Sequence, residues 1–207
     1  MQNREYFIHV AGGPRYGRMW GAHTWESAIG IGHDREHSAH GRILGGISQD
    51  SLKKAIVESK DESLGKYGRA TLGRIILEWP FEDWEKHPDN SVKQALGSDN
   101  KGKIVEIFEL YPFGHDAEVD GWGEKPKEPR YKKSFGGMGI AHKALIATLE
   151  DFRKHLEAHG VKPEDYHIFF MGEKPDSVDF FSKRGFEPVK AYPFLEFLEK
   201  LKKYKEK

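Results

Sequence analysis

Two glutamates, Glu106 and Glu109, sit inside the apolar run from Lys103 to Phe113, KIVEIFELYPF. Apolar surroundings disfavour the ionised form of a carboxylate, which raises its pKa toward the range where it serves as a general base. Alternation along a strand sets Glu106 beside Ile104, Phe108 and Leu110, and Glu109 beside Val105, Ile107 and Tyr111, so the two carboxylates take opposite faces and form no pair. A second chemistry-bearing stretch is Ser134 to Thr148, SFGGMGIAHKALIAT. Its clustered glycines, Gly136, Gly137 and Gly139, permit positive φ and close approach of a ligand to the backbone. An apolar-striped helix follows at once, and the amides of Met138 to Ala141, lacking intrahelical partners, make a site for an anion such as pyrophosphate.

Two further groups carry weaker signals. His23, His33, His37 and His40, with Asp34 and Glu36 among them, are spaced to bind a divalent metal if the run is helical. HDREHSAH is polar, flanked by glycine and without cysteine, so a solvated or substrate-facing segment is the expectation and no metal ligands are assigned. Arg15, Arg18, Trp20 and Trp25 interleave cations and aromatic rings that can stack on a planar anion, although tryptophans more often serve the core.

The elements that must position these residues follow from periodicity and punctuation. Tyr6 to Val10 reads as a strand, and residues from about 11 to 48 read as a long glycine-, histidine- and tryptophan-rich loop. Asp50 and Ser51 are expected to cap a helix through Glu58, with Leu52, Ala55 and Ile56 on its apolar side. Strands are expected over Thr71 to Trp79 and Lys103 to Phe113, and insertions over about 80–102, with a short helix near Val92 to Leu96, and over about 113–133. Asp176 to Val189, DSVDFFSKRGFEPV, reads as a short amphipathic helix, a stop at Gly185 and a strand. The lysine-rich end, LEKLKKYKEK, is expected to fray as a solvated helix.

Strand, glycine turn, long helix, strand, short helix ending in F-x-K-x-G-F and a final strand resemble the GCN5-related N-acetyltransferases over Lys103 to about Tyr192. Ser134, Gly137 and Gly139 take the places of that family's Q/R-x-x-G-x-G/A turn, with serine replacing the usual Gln or Arg. Leu110-Tyr111-Pro112 resembles the V-x-P that closes the central strand. Phe181 stands where the family often has a tyrosine, and a long insertion separates Pro112 from the turn.

The resemblance implies a single α/β acyltransferase domain over residues 1–207, with a mixed central sheet and helices on both faces. It implies acetyl coenzyme A as donor, an amine on a small molecule, protein or nucleobase as acceptor, and direct attack. Cofactor contacts are expected from Ser134, Phe135, Gly136, Gly137, Met138, Gly139, Ile140 and Ala141, with a backbone amide near Leu110 or Tyr111 for the thioester oxygen; Phe180 and Phe181 are expected to pack the short helix on the sheet, with Phe181 and Lys183 bordering the pantetheine arm. Glu106 matches the position of the base in several members, with Glu109 as the alternative. Tyr192 or Tyr111 is the acid for the departing thiolate, unless the thiolate leaves unaided.

Composition bounds these expectations. Lys plus Arg number 33 and Asp plus Glu 33, so the formal charge is zero and offers no general attraction for nucleic acid or membrane surfaces. There is no cysteine, which removes disulfides, thiolate metal sites and a cysteine nucleophile. No apolar stretch approaches the roughly 18 residues of a membrane span, and a cytoplasmic protein is expected, with a homodimer admitted. A coenzyme A or nucleotide binder without catalysis is the alternative suggested by Phe181 and Ser134, and a histidine-metal protein is a third.

Overall fold

The computed structural model describes residues 5–19, 22–32, 41–59, 62–67, 69–81, 103–111, 135–172 and 175–205. The expectations for Trp20, for His33 to His40, for the insertions and for Ser134 lie outside these residues. The fold is mixed α+β, a seven-stranded mixed sheet with flanking helices. Its strands are β1 (Tyr6–Met19), β2 (Ala22–Gly32), β3 (Arg42–Ile47), β4 (Ala70–Phe81), β5 (Lys103–Tyr111), β6 (Tyr166–Phe169) and β7 (Tyr192–Pro193), in sheet order β3-β1-β2-β4-β5-β6-β7. The helices are α1 (Gln49–Ser59), α2 (Glu62–Tyr67), α3 (Ile140–Ala158), α4 (Pro175–Ser182) and α5 (Phe194–Lys203).

Contacts divide the chain into two compact units. The first comprises Met1–Gly12, Ser27–Ile75 and Tyr111–Thr148. Its β1 and β3 are antiparallel, Tyr6 opposite Ile47 and Val10 opposite Arg42, with the register shifting between Ile8 and His9. Ile8 and Val10, Ile29 and Ile31, each pair two apart on its strand, form its core with Leu72 and Ile75 of β4 and with Leu52, Ala55 and Leu145. The long loop expected over about 11–48 is largely strand instead, because Ile8, Val10, Ile29 and Ile31 bury a period-two stripe that the intervening glycines do not interrupt. Ser48, not Asp50 or Ser51, caps α1: the Ser51 amide donates to Ser48 Oγ at 3.1 Å, while Asp50 occupies the first turn.

The second unit comprises Gly13–Glu26, Ile76–Leu110 and Leu149–Lys207. Here β5 and β6 are parallel, from Lys103 opposite Tyr166 to Glu106 opposite Phe169, and β7 is antiparallel to β6. The strand expected between Gly185 and Val189 does not form there, and the chain next joins the sheet as the two-residue β7, Tyr192–Pro193. The C-terminal helix does not lie solvated: Phe194, Phe197, Leu198 and Leu201, spaced i, i+3, i+4 and i+7, are all buried. At the end of α4 the Phe186 amide donates to the Phe181 carbonyl at 3.1 Å and the Gly185 amide to the Ser182 carbonyl at 2.9 Å. That pair of bonds, with Gly185 at φ 76°, is a Schellman stop, and it gives the F-x-K-x-G-F run a direct structural reason.

Candidate functional site

Within the second unit, Glu106 is 5% exposed. Its register partner Phe169 and its i−2 neighbour Ile104 pack as a small core cluster, with Met171 and Ala191 against them. The β5–β6 ladder ends at the Glu106–Phe169 pair, whereas β5 continues to Tyr111. Two residues past Glu106 on the same face, Phe108 is 42% exposed. Burial therefore gives way to solvent along one face of β5, immediately beyond the end of its ladder with β6. A buried carboxylate at such a border can exchange a proton with a molecule that enters from the open side.

Glu109, half-buried, takes the other face of β5, as alternation predicts. Tyr192 is opposite Ile168, and Ile168 is opposite Val105, so Tyr192 shares the face of Glu109 rather than that of Glu106. Its hydroxyl accepts from the Glu187 amide at 2.9 Å and its ring meets Phe186. Phe181 is 1% exposed and stacks on Phe170 at 4.0 Å, which makes it a core residue of this unit. Lys183 is exposed and paired with Asp179 one helical turn earlier. Leu110 is half-buried.

In the first unit, Gly137 and Gly139 adopt φ of 79° and 68°, the left-handed backbone that the sequence led us to expect, directly ahead of α3. Phe135 is fully buried and anchors the turn, whereas Gly136, Gly137 and Met138 are exposed. One amide of the expected set is engaged: Met138 donates to the Phe135 carbonyl at 3.4 Å. Ile140 is buried and Ala141 half-buried, consistent with an apolar stripe that begins in the first turn of the helix.

No family model, no curated protein and no solved structure matches this chain. Its functional reading therefore stands on its own residues.

Two residues escaped sequence reasoning. Glu78, 3% exposed on β4, is with Glu106 one of two buried glutamates among the described residues, on adjacent strands. Its signal was present in the strand RIILEW, where a carboxylate interrupts an apolar run. His167 is opposite Ile104 and so lies on the face of Glu106. Its Nδ1 is buried without a hydrogen-bond partner. No sequence pattern marks it, because its position is defined only by the β5–β6 register.

Of the expected stacking group, Trp25 and Arg15 are otherwise employed. Trp25 is 4% exposed in a cluster with Trp79, Phe152 and His155, and Arg15 pairs with Glu26 at 2.7 Å. His23 is exposed and lies against Trp79. No group of three or more metal-ligating side chains occurs among the described residues. Nor is any described helix long and apolar enough to cross a membrane.

Burial lowers the pKa of three histidines, His9, His155 and His167, below the ordinary 6.5. For His155 the neighbouring His159 adds to the effect, and for His167 Glu196 partly opposes it. A histidine whose folded-state pKa is lowered binds fewer protons when folded, so its contribution is intact above the unfolded value and is lost as pH falls. Stability measured by denaturant titration should therefore hold near neutrality and decline progressively below pH 6.5. Replacing all three by Gln should flatten that decline, and an unchanged slope would refute the assignment.

Proposed function

We propose that this protein is an N-acetyltransferase that moves an acetyl group from acetyl coenzyme A to an amine, with Glu106 as general base. The single observation that carries the reading is a buried glutamate at the end of the β5–β6 ladder, where β6 stops and β5 runs on to Tyr111. In the part of β5 that runs on beyond the end of this ladder, an amide at Leu110 can polarise a thioester oxygen. The chain between these strands contains the positive-φ glycine turn and the 19-residue helix α3, a backbone arrangement suited to pyrophosphate.

The transfer needs the acceptor ammonium to lose a proton before its nitrogen attacks the thioester carbonyl. Glu106 takes that proton. The C–N bond forms, the C–S bond breaks, and coenzyme A departs as a thiolate that is later protonated by solvent. Tyr192 is left out of this route, since the sheet register gives it the opposite face. Phe108, exposed on the face of Glu106, favours an acceptor with an apolar or planar group next to its amine.

The donor site is tested at Gly137, whose left-handed φ both Asn and Asp tolerate. Calorimetric titration of acetyl coenzyme A should show binding to the native protein and to Gly137→Asn. Gly137→Asp, isosteric with Asn but anionic, should weaken binding at least tenfold on the order of the charge effects seen at helix ends. Equal affinities for the two variants would remove the pyrophosphate from this turn, and no binding to native protein would sink the reading.

A further inference from the structure

Helix α3 ends in a second Schellman stop: Val161 donates to the Leu156 carbonyl at 2.9 Å, Gly160 to the Glu157 carbonyl at 3.0 Å, and Gly160 has φ 70°. His155 lies in the last turn of the helix and His159 at its C-terminal cap, four residues apart and therefore on one face. Their rings are 4.2 Å apart between centroids. His159 Nδ1 is 2.8 Å from the His155 carbonyl oxygen, which can only accept. Nδ1 is thus the donor, and in the neutral ring Nε2 is the nitrogen with the lone pair. A ring N–H donated to a backbone carbonyl is the usual support of a metal-bound histidine, fixing both tautomer and orientation. His155 also contacts Trp25 and Trp79, with ring centroids at 5.3 and 5.9 Å.

We propose that His155 and His159 form a two-histidine chelate for a divalent transition metal at the C-terminal end of α3. Histidines at i and i+4 of a helix are a recognised bidentate arrangement, seen in the H-E-x-x-H motif. The helix end adds to this, since its carbonyls carry partial negative charge that favours a cation. Imidazole nitrogens suit Cu(II), Ni(II) and Zn(II), with Cu(II) bound most tightly. No third His, Asp or Glu side chain joins the pair among the described residues, so water or an exogenous donor takes the remaining positions. The site is independent of the acetyl-transfer reading.

Trp25 beside His155 provides the readout, because Cu(II) quenches a tryptophan in contact with its ligand. CuCl2 titrated into the full, untagged chain should quench fluorescence saturably, with ZnCl2 competing more weakly. His159→Ala, an exposed change, should weaken Cu(II) binding at least tenfold, and His155→Gln should do the same with the melting temperature confirming the fold. His33→Ala/His37→Ala serves as the comparison and should leave the titration unchanged. Loss of quenching in that comparison variant, or its persistence in His159→Ala, would place the metal elsewhere and overturn the proposal. Absence of saturable quenching in the native chain would overturn it as well.

Discussion

Glu106→Gln should lower the acetylation rate by about 10²- to 10⁴-fold, the usual contribution of a positioned general base. Gln keeps the size and polarity of the side chain and cannot take the acceptor proton. Because Glu106 is buried opposite Phe169, the substitution removes a charge without opening a cavity, so the fold and the affinity for acetyl coenzyme A should both survive. The measurement is release of free thiol from acetyl coenzyme A with a panel of primary amines, run beside a binding titration. Glu109→Gln, on the opposite face, should change the rate much less. Equal losses for the two variants would transfer the base away from Glu106. Retained turnover in Glu106→Gln would end its role altogether.

Gly172→Ala should be the most damaging single-methyl change in the second unit. Gly172 has φ 76°, where an L side chain costs roughly 1–2 kcal/mol. An added Cβ would also lie 2.6 Å from Pro188 Cβ and 3.2 Å from Val178 Cγ2. Pro188 cannot yield readily: it is a ring, and Val189 next to it is itself held at φ 54°, its amide donating to the Phe170 carbonyl at 2.8 Å. Conformational strain and overpacking add, giving a loss of about 3–5 kcal/mol. Gly137→Ala is the matched comparison, because its φ is 79° yet nothing lies within 4 Å of the added Cβ. It should cost only the conformational part, about 1–2 kcal/mol. Urea titrations of the two variants measure the difference, and equal midpoints would show that the Pro188 contact relaxes freely.

The same residues explain how far the sequence could be read. Helix α3 was legible because its apolar positions repeat at helical spacing and its start is marked by glycines. Helix α1 and strands β4 and β5 were legible for similar reasons of local period. The region from about 11 to 48 misled because glycine, histidine and tryptophan are loop-like in composition. Its stripe of Ile29 and Ile31 acquires meaning only against a partner strand. The final helix misled in the opposite sense. Its lysines suggested a solvated tail, whereas Phe194, Phe197, Leu198 and Leu201 form a narrow stripe that the unit buries completely.

By itself the sequence determined the glycine turn with its left-handed φ values, the helix that follows, the stop at Gly185 and the separation of Glu106 from Glu109 onto two faces. Each depends on the conformational freedom of glycine or on strand alternation, and both act over a few residues. Tertiary structure decided which glutamate is buried, where the β5–β6 ladder ends, that Tyr192 takes the opposite face of the sheet from Glu106, and that His155 lies against Trp25 and Trp79. Those features depend on strand register and on packing between distant segments, and a register that shifts by one residue exchanges every side chain between faces.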